Sequence, residues 1–214
     1  ELLEPVKHSA MTVAGGLQPM SLKDRFFDFY SNIDGILVGE SEEILLNLCN
    51  QIDLGISADN LEIPGVMTRF KKQFLSAPIH QSLDKLGGYD YSVFSDQTFF
   101  RAFQGEVLRV IDFEISRGCI YTCDYCVETV IQKHYGYSER SKKGALKAWP
   151  KYLRCKSAKL AFSEFSSLHK DLGIELFRMQ DTNFLTIDNA VLQELADLFE
   201  ESNLNKNIKL YIET

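Results

Sequence analysis

The sequence predicts an α/β protein built on parallel sheet. Strand–glycine–helix occurs twice within the first 55 residues, and strand–loop–helix recurs three times after residue 108. Alternation at this spacing packs helices onto parallel strands. A third observation places chemistry on that scaffold. Three cysteines share one loop directly after a predicted strand, and polar residues follow the next strand, where α/β folds bind ligands.

The first strand is Ser9 to Val13, ending in Ala14-Gly15-Gly16. Glycines there let backbone approach a ligand closely, although a plain tight turn reads equally well. Leu22 to Phe29 is a short aromatic helix. Asp34 to Glu40 is a second strand that stops at Gly39. Ser41 is an N-cap, with Glu42 and Glu43 in the first turn facing the positive end of the helix dipole. Ile44, Leu45, Leu48 and Ile52 form the apolar stripe of this helix, and Gly55 stops it. Two strands make too small a sheet, so its remainder is expected upstream of Glu1.

Residues 56–106 read as a connector, with a turn at Ile63-Pro64-Gly65 and a short segment from Asp90 to Phe94. Phe94, Phe99, Phe100 and Phe103 read as interdomain packing, and His80 as a surface or packing histidine.

Leu108 to Ile115 is the first strand of the second domain, and Val127 to Gln132 begins the helix after the cysteine loop. Glu128 reads as part of a solvated face. Trp149-Pro150 should break a helical run that follows Ser138–Ser141. Ala158 to Leu172 is a helix with Leu160, Ala161, Phe165 and Leu168 on one face and His169 on the polar side, stopped by Gly173. Ile174 to Met179 is the next strand. Gln180-Asp181-Thr182-Asn183 follows it, a ligand-binding position whose bland reading is a local cap. Thr186 or Asp188 caps a helix whose stripe is Leu192, Leu195, Ala196 and Phe199. Asn203 to Asn207 turns into a last strand, Ile208 to Glu213.

The cysteine loop is Ser116-Arg117-Gly118-Cys119-Ile120-Tyr121-Thr122-Cys123-Asp124-Tyr125-Cys126, a C-x3-C-x2-C spacing. Soft thiolates select iron–sulfur clusters, zinc or Cu(I). Structural zinc and four-cysteine clusters want a fourth ligand, and this loop supplies three. A [4Fe–4S] cluster held by Cys119, Cys123 and Cys126 leaves one iron open. Zinc would need His134 or Cys155 as a fourth ligand in a binding module. An incidental cysteine cluster in an α/β protein is the third alternative.

The loop, with Tyr125 just before its last cysteine, resembles the signature of the radical S-adenosylmethionine (SAM) superfamily. Val13-Ala14-Gly15-Gly16 and Asp34 to Glu43 resemble the branch that carries a cobalamin-binding domain, with Ser41 where that branch usually has glycine. Tyr137–Ser141 loosely matches a further family stretch. The resemblance implies the C-terminal part of a Rossmann-like cobalamin-binding domain over 1–55, a connector over 56–106, and the first half of a partial (β/α)6 radical SAM barrel over 107–214. It implies a [4Fe–4S] cluster on Cys119, Cys123 and Cys126, with SAM bound at the open iron and cleaved reductively. It further implies SAM contacts near Tyr125, Asp181, Thr182 and Glu213, and cobalamin contacts at Gly15, Gly16, Gly39 and Glu40. Methyl transfer to an unactivated carbon is the commonest outcome in that branch. A small-molecule or peptide substrate and an electron donor such as flavodoxin or ferredoxin complete the expectation.

Composition sets bounds on these readings. The 214 residues are 45% apolar, enough for a substantial core. A net charge of -7 argues against nucleic acid as a partner. No apolar run is long enough to span a bilayer, and the acidic start at Glu1 does not read as a secretory leader. Five cysteines, three of them clustered, fit a reducing compartment, so the cytoplasm is expected. A first residue other than Met and a strand reaching Thr214 read as a fragment of a longer chain.

Overall fold

A computed structural model describes residues 10–71 and 75–212. The chain divides into two compact units, residues 1–80 with 124–136, and residues 81–123 with 137–214. The boundary thus falls at His80, and residues 56–106 are shared between the units instead of standing apart as a connector.

In the first unit the elements are β1 (Val13–Ala14), α1 (Leu17–Leu22), α2 (Phe26–Phe29), β2 (Gly35–Leu37), α3 (Glu42–Asp53), β3 (Val66–Thr68) and α4 (Glu128–His134). β1 pairs parallel with β2, as the strand–glycine–helix pattern requires. β3 pairs antiparallel on the other side of β2, inside the stretch that the sequence presents as a connector. The start of the first predicted strand, Ser9, lies outside the described residues. Alternate residues of β2 enter different cores. Leu37 packs with Ile44, Leu48 and Val66, while Ile36 and Val38 pack with Met20, Phe26, Phe27 and Met67. A strand buried on both faces is what a layered α/β sheet demands. Ile131 and Tyr135, from α4 and its end, cover the second of these clusters.

Two details of α3 differ from expectation. Ile44 and Leu48 are buried, but Leu45 and Ile52 are exposed, so the stripe is narrower than the periodicity suggests. Ser41 makes no side-chain cap; its hydroxyl donates to the Gly39 carbonyl at 3.1 Å. The acidic first turn keeps its favourable position against the dipole.

In the second unit the elements are β4 (Phe100–Phe103), β5 (Glu106–Phe113), β6 (Ser116–Arg117), α5 (Trp149–Tyr152), β7 (Arg154–Cys155), α6 (Ala158–Leu172), β8 (Leu176–Met179), α7 (Asn189–Ser202) and β9 (Lys209–Tyr211). The main sheet runs β4-β5-β8-β9. β5, β8 and β9 are mutually parallel, with Val110 opposite Leu176 and Leu176 opposite Lys209. α6 and α7 are the crossovers between them. β4 is an antiparallel edge strand. It corrects the reading of Phe100 and Phe103 as interdomain packing. Phe99 alone among those aromatics is buried, and it lies in the core of this unit.

That core is aromatic. The Phe165 ring lies 4.5 Å from Phe113 and 4.7 Å from Phe177, tilted and edge-on. Such pairs add to the gain from burying apolar area. α6 has the bounds its caps predict. Ser157 accepts from the Leu160 amide, and Gly173 ends the helix at φ 64°. α7 is capped by Asp188, and Leu195 and Phe199 bury its apolar side while Ala196 is exposed. Pro150 sits in the first turn of α5 and starts a helix where a break was expected. The run before it is no helix: it holds bridges Tyr121–Ala145 and Arg140–Leu146.

Candidate functional site

The cysteine loop follows β5 at the C-terminal end of the first of the three parallel strands, the edge at which such folds gather their chemistry. Its entry is fixed by three devices in the second unit. β6 pairs with β7, placing Ser116 opposite Cys155 and Arg117 opposite Arg154. Gly118 turns the chain at φ 96°, and a Cβ there would lie 2.6 Å from the Tyr152 carbonyl oxygen. Only glycine passes so close to backbone at such an angle. The loop itself is held by the residues around Gly144. The Leu146 amide donates to the Ile120 carbonyl at 2.7 Å, and the Thr122 hydroxyl to the Gly144 carbonyl at 2.6 Å.

Asp181 supplies the last of the fixings. It is buried just past β8, and its Oδ1 accepts from the Ser116 amide and hydroxyl, each at 2.6 Å, and from the Ile115 amide at 3.2 Å. Its carboxylate therefore braces the strand that leads into the cysteines. Burial holds its carboxyl above the ordinary value, outweighing the bonds from Ser116 and Ile115 that act the other way. The folded protein then binds this proton more tightly than the unfolded chain does. The ionised form costs stability, and that cost develops as pH rises from about 4 through the folded value. Asp181→Ala strands buried donors and is expected to destabilise the protein by about 1–3 kcal/mol. Asp181→Asn keeps an acceptor and should cost less, with its disadvantage shrinking from pH 4 to pH 7. Denaturant unfolding at the two pH values checks both statements.

Cys119, Cys123 and Cys126 are free thiols, buried, exposed and half-buried in that order. The Tyr121 amide donates to Cys119 Sγ at 3.4 Å, which favours negative charge on that sulfur. Among the described residues, no three His, Cys, Asp or Glu side chains stand grouped to hold a metal ion. By chemistry the donor set fits an iron–sulfur cluster: three soft ligands on one glycine-turned loop. Burial, with Asp181 nearby, pushes the Cys155 thiol up to about 12. Burial and the Lys23 charge depress His134, which ends α4.

The other predicted residues separate. Tyr125 is 93% exposed and Thr182 is exposed, while Glu213 lies outside the described residues. Gly15 and Gly16 follow β1, and at Gly16, with φ 100°, an added Cβ would meet nothing within 4 Å. Backbone there is open to a ligand. At Gly39, φ 117° and past β2, a Cβ would lie 2.7 Å from the Tyr135 hydroxyl. Tyr135 accepts from the Glu40 amide at 2.8 Å, and Glu40 Oε2 accepts from the His80 amide at 2.9 Å. Gly39 and Glu40 thus hold the protein's own packing at this edge. Glu128, read as solvated, is buried.

Sequence reasoning missed Tyr135, Tyr152, Ser116 and the residues around Gly144. Gly144 carries a signal, since Ser-Lys-Lys-Gly is turn chemistry inside a run that otherwise reads as helix. Arg117 is also fixed, its guanidinium meeting Glu114 at 2.6 Å and donating to the Tyr89 hydroxyl at 3.1 Å. Burial, together with Glu114, raises the Tyr89 hydroxyl above its ordinary value.

No protein-family model matches the chain, and no curated protein matches it. Solved structures do. TsrM from Kitasatospora setae, a radical S-adenosylmethionine methyltransferase with cobalamin and a [4Fe-4S] cluster bound, is 17% identical at a TM-score of 0.56, over 95% of this chain and 37% of that one. OxsB, a cobalamin-dependent S-adenosylmethionine radical enzyme with aqua-cobalamin bound, is 16% identical at a TM-score of 0.64, over 94% of this chain and 26% of that one. OxsB with aqua-cobalamin and S-adenosylmethionine bound gives 16% and 0.58, over 88% and 24%. The chain spans between 24% and 37% of the length of these proteins. At such identity the likeness is one of fold: a mixed α/β chain similar to cobalamin-dependent radical SAM enzymes.

Proposed function

We propose that this chain is part of a cobalamin-dependent radical SAM enzyme, a methyltransferase acting on an unactivated carbon. One observation carries the reading. The C-x3-C-x2-C loop stands at the C-terminal end of the first of three parallel strands, in a fold similar to enzymes of that kind. Cys119, Cys123 and Cys126 would hold a [4Fe–4S] cluster and leave one iron for SAM. When bound, these cofactors supply the electron that breaks a sulfonium carbon–sulfur bond and the methyl group that is transferred.

The chain's own residues position and protect. Gly118 aims the loop, and Asp181 with Ser116 fixes the strand before it. The residues around Gly144 keep Ile120 and Thr122 in place. Gly15 and Gly16 offer backbone that a cobalamin can approach, and Gly39 and Glu40, whose amide donates to Tyr135, are proposed to contact it too. Tyr125, Asp181, Thr182 and Glu213 are proposed to lie near SAM. A small molecule or peptide is the substrate, flavodoxin or ferredoxin the class of electron donor, and the cytoplasm the setting. Among the described residues no helix is long and apolar enough to cross a membrane.

Anaerobic reconstitution with iron and sulfide tests the reading. About four irons and four sulfides per chain, with a brown colour, are expected. Colourless protein that holds zinc would overturn it.

A further inference from the structure

A cleft of about 460 Å³ opens in the second unit between residues 88–92 and α6. None of its lining residues belongs to the cysteine loop, so the inference does not rest on the proposed radical SAM function. Tyr89, Tyr91 and Phe113 give it aromatic faces, and Asp90, Glu164 and Asp171 give it carboxylates, with no lysine or arginine on its lining. The rings are fixed. The Tyr91 hydroxyl donates to the Asp112 carbonyl at 2.9 Å, and the Tyr89 hydroxyl to Glu114.

Glu164 is incomplete. Its side chain is only 10% exposed, and Oε2 accepts from Lys156 at 2.6 Å. Oε1 is buried with no hydrogen-bond partner. Lys156 is committed behind it, its ammonium 5.0 Å from the Tyr89 ring and 4.8 Å from Phe113. Buried acceptors are normally paired, and one left open at a cleft asks for a donor. Oε1 lies towards Gly88, where a Cβ would meet it at 3.5 Å, and Gly88 and Glu164 both line the cleft. Burial also keeps the Glu164 carboxyl above its ordinary value despite Lys156.

We infer that this cleft binds a small primary ammonium compound, whose N–H donates to Glu164 Oε1 while its apolar body lies against Tyr91. Aromatic faces beside carboxylates recognise cations, and the volume suits a compact ligand. Asp90 and Asp171 add attraction at longer range.

Isothermal titration of the full-length protein with 2-phenylethylammonium is the test, beside two relatives of that probe. 2-Phenylethanol lacks the charge, and 2-phenylethyl-trimethylammonium lacks the N–H. The primary ammonium is expected to bind at least ~10-fold tighter than either. Glu164→Gln should weaken it by a similar factor. Ser167→Phe, at an exposed position on the lining, should block it without touching the Lys156 pair. Equal binding of the three probes, no binding of the ammonium, or unchanged affinity in a folded variant would overturn the inference. The measurement needs no cluster, so its failure leaves the cysteine assignment untouched, and the converse holds.

Discussion

Cys123→Ala is expected to abolish iron uptake and SAM cleavage together while leaving the fold intact. The separation of those effects follows from exposure. Cys123 is exposed, so its loss removes little packing and should move stability by no more than about 0.5 kcal/mol. Cys119 is buried at 8% exposure, and its replacement would mix a packing defect with a ligand defect. Two thiolates cannot hold a cubane that needs three, so iron should fall from about four per chain to less than one. Iron and sulfide analysis, with 5′-deoxyadenosine release under reducing conditions, gives the readout. Iron content and cleavage equal to the parent's would refute the assignment of that cysteine.

Gly118→Ala should be strongly destabilising. Two costs coincide at this position. The backbone is at φ 96°, a conformation that charges a side chain about 1–3 kcal/mol. The new Cβ would also stand 2.6 Å from the Tyr152 carbonyl oxygen and 3.1 Å from its carbonyl carbon and Cδ1. Tyr152 cannot easily yield, being 1% exposed and tied to the strand that pairs with β6. Overpacking of this kind costs a further 1–3 kcal/mol or so. The sum is a large part of a typical stability of about 5–15 kcal/mol, and the melting temperature should drop by the order of 10 °C. Gly144→Ala is the control. Its φ is 79°, but an added Cβ meets nothing within 4 Å, so it carries the strain without the clash. If thermal melts put the two variants level, the close approach at Tyr152 is not what Gly118 is for. Gly118→Ala should also lower iron uptake below the melting temperature, since the turn aims the cysteines.

Much of the scaffold is legible in the sequence because it is locally encoded. α6 has its expected bounds, since Ser157, the apolar stripe and Gly173 each state their part within a few residues. β5 and β8 announce themselves as apolar runs, and the helix between them implies their parallel pairing. The failures are equally physical. β3 and β4 are short, and no local signal announces their antiparallel pairing with β2 and β5. Leu45 and Ala196 fit a helical stripe yet face solvent, because a stripe records period and not the width of the surface that receives it. The run before Trp149 reads as helix although Gly144 marks a turn, since its opposing chain, Ile120 to Thr122, lies some two dozen residues away, roughly the reach at which local signals fade.

By itself the sequence determined the parallel α/β plan and the trio of cysteines that follows the strand beginning at Leu108. Both are set by chemistry within a few residues: alternation of apolar runs, caps, and thiols at fixed spacing. Only the tertiary structure decided how the strand leading into those cysteines is braced and what packs against Glu40. Asp181 reaches back across 65 residues to the Ser116 amide, and Tyr135 across 95 to the Glu40 amide. A buried carboxylate must find its donors wherever the chain brings them, and no local pattern records that address.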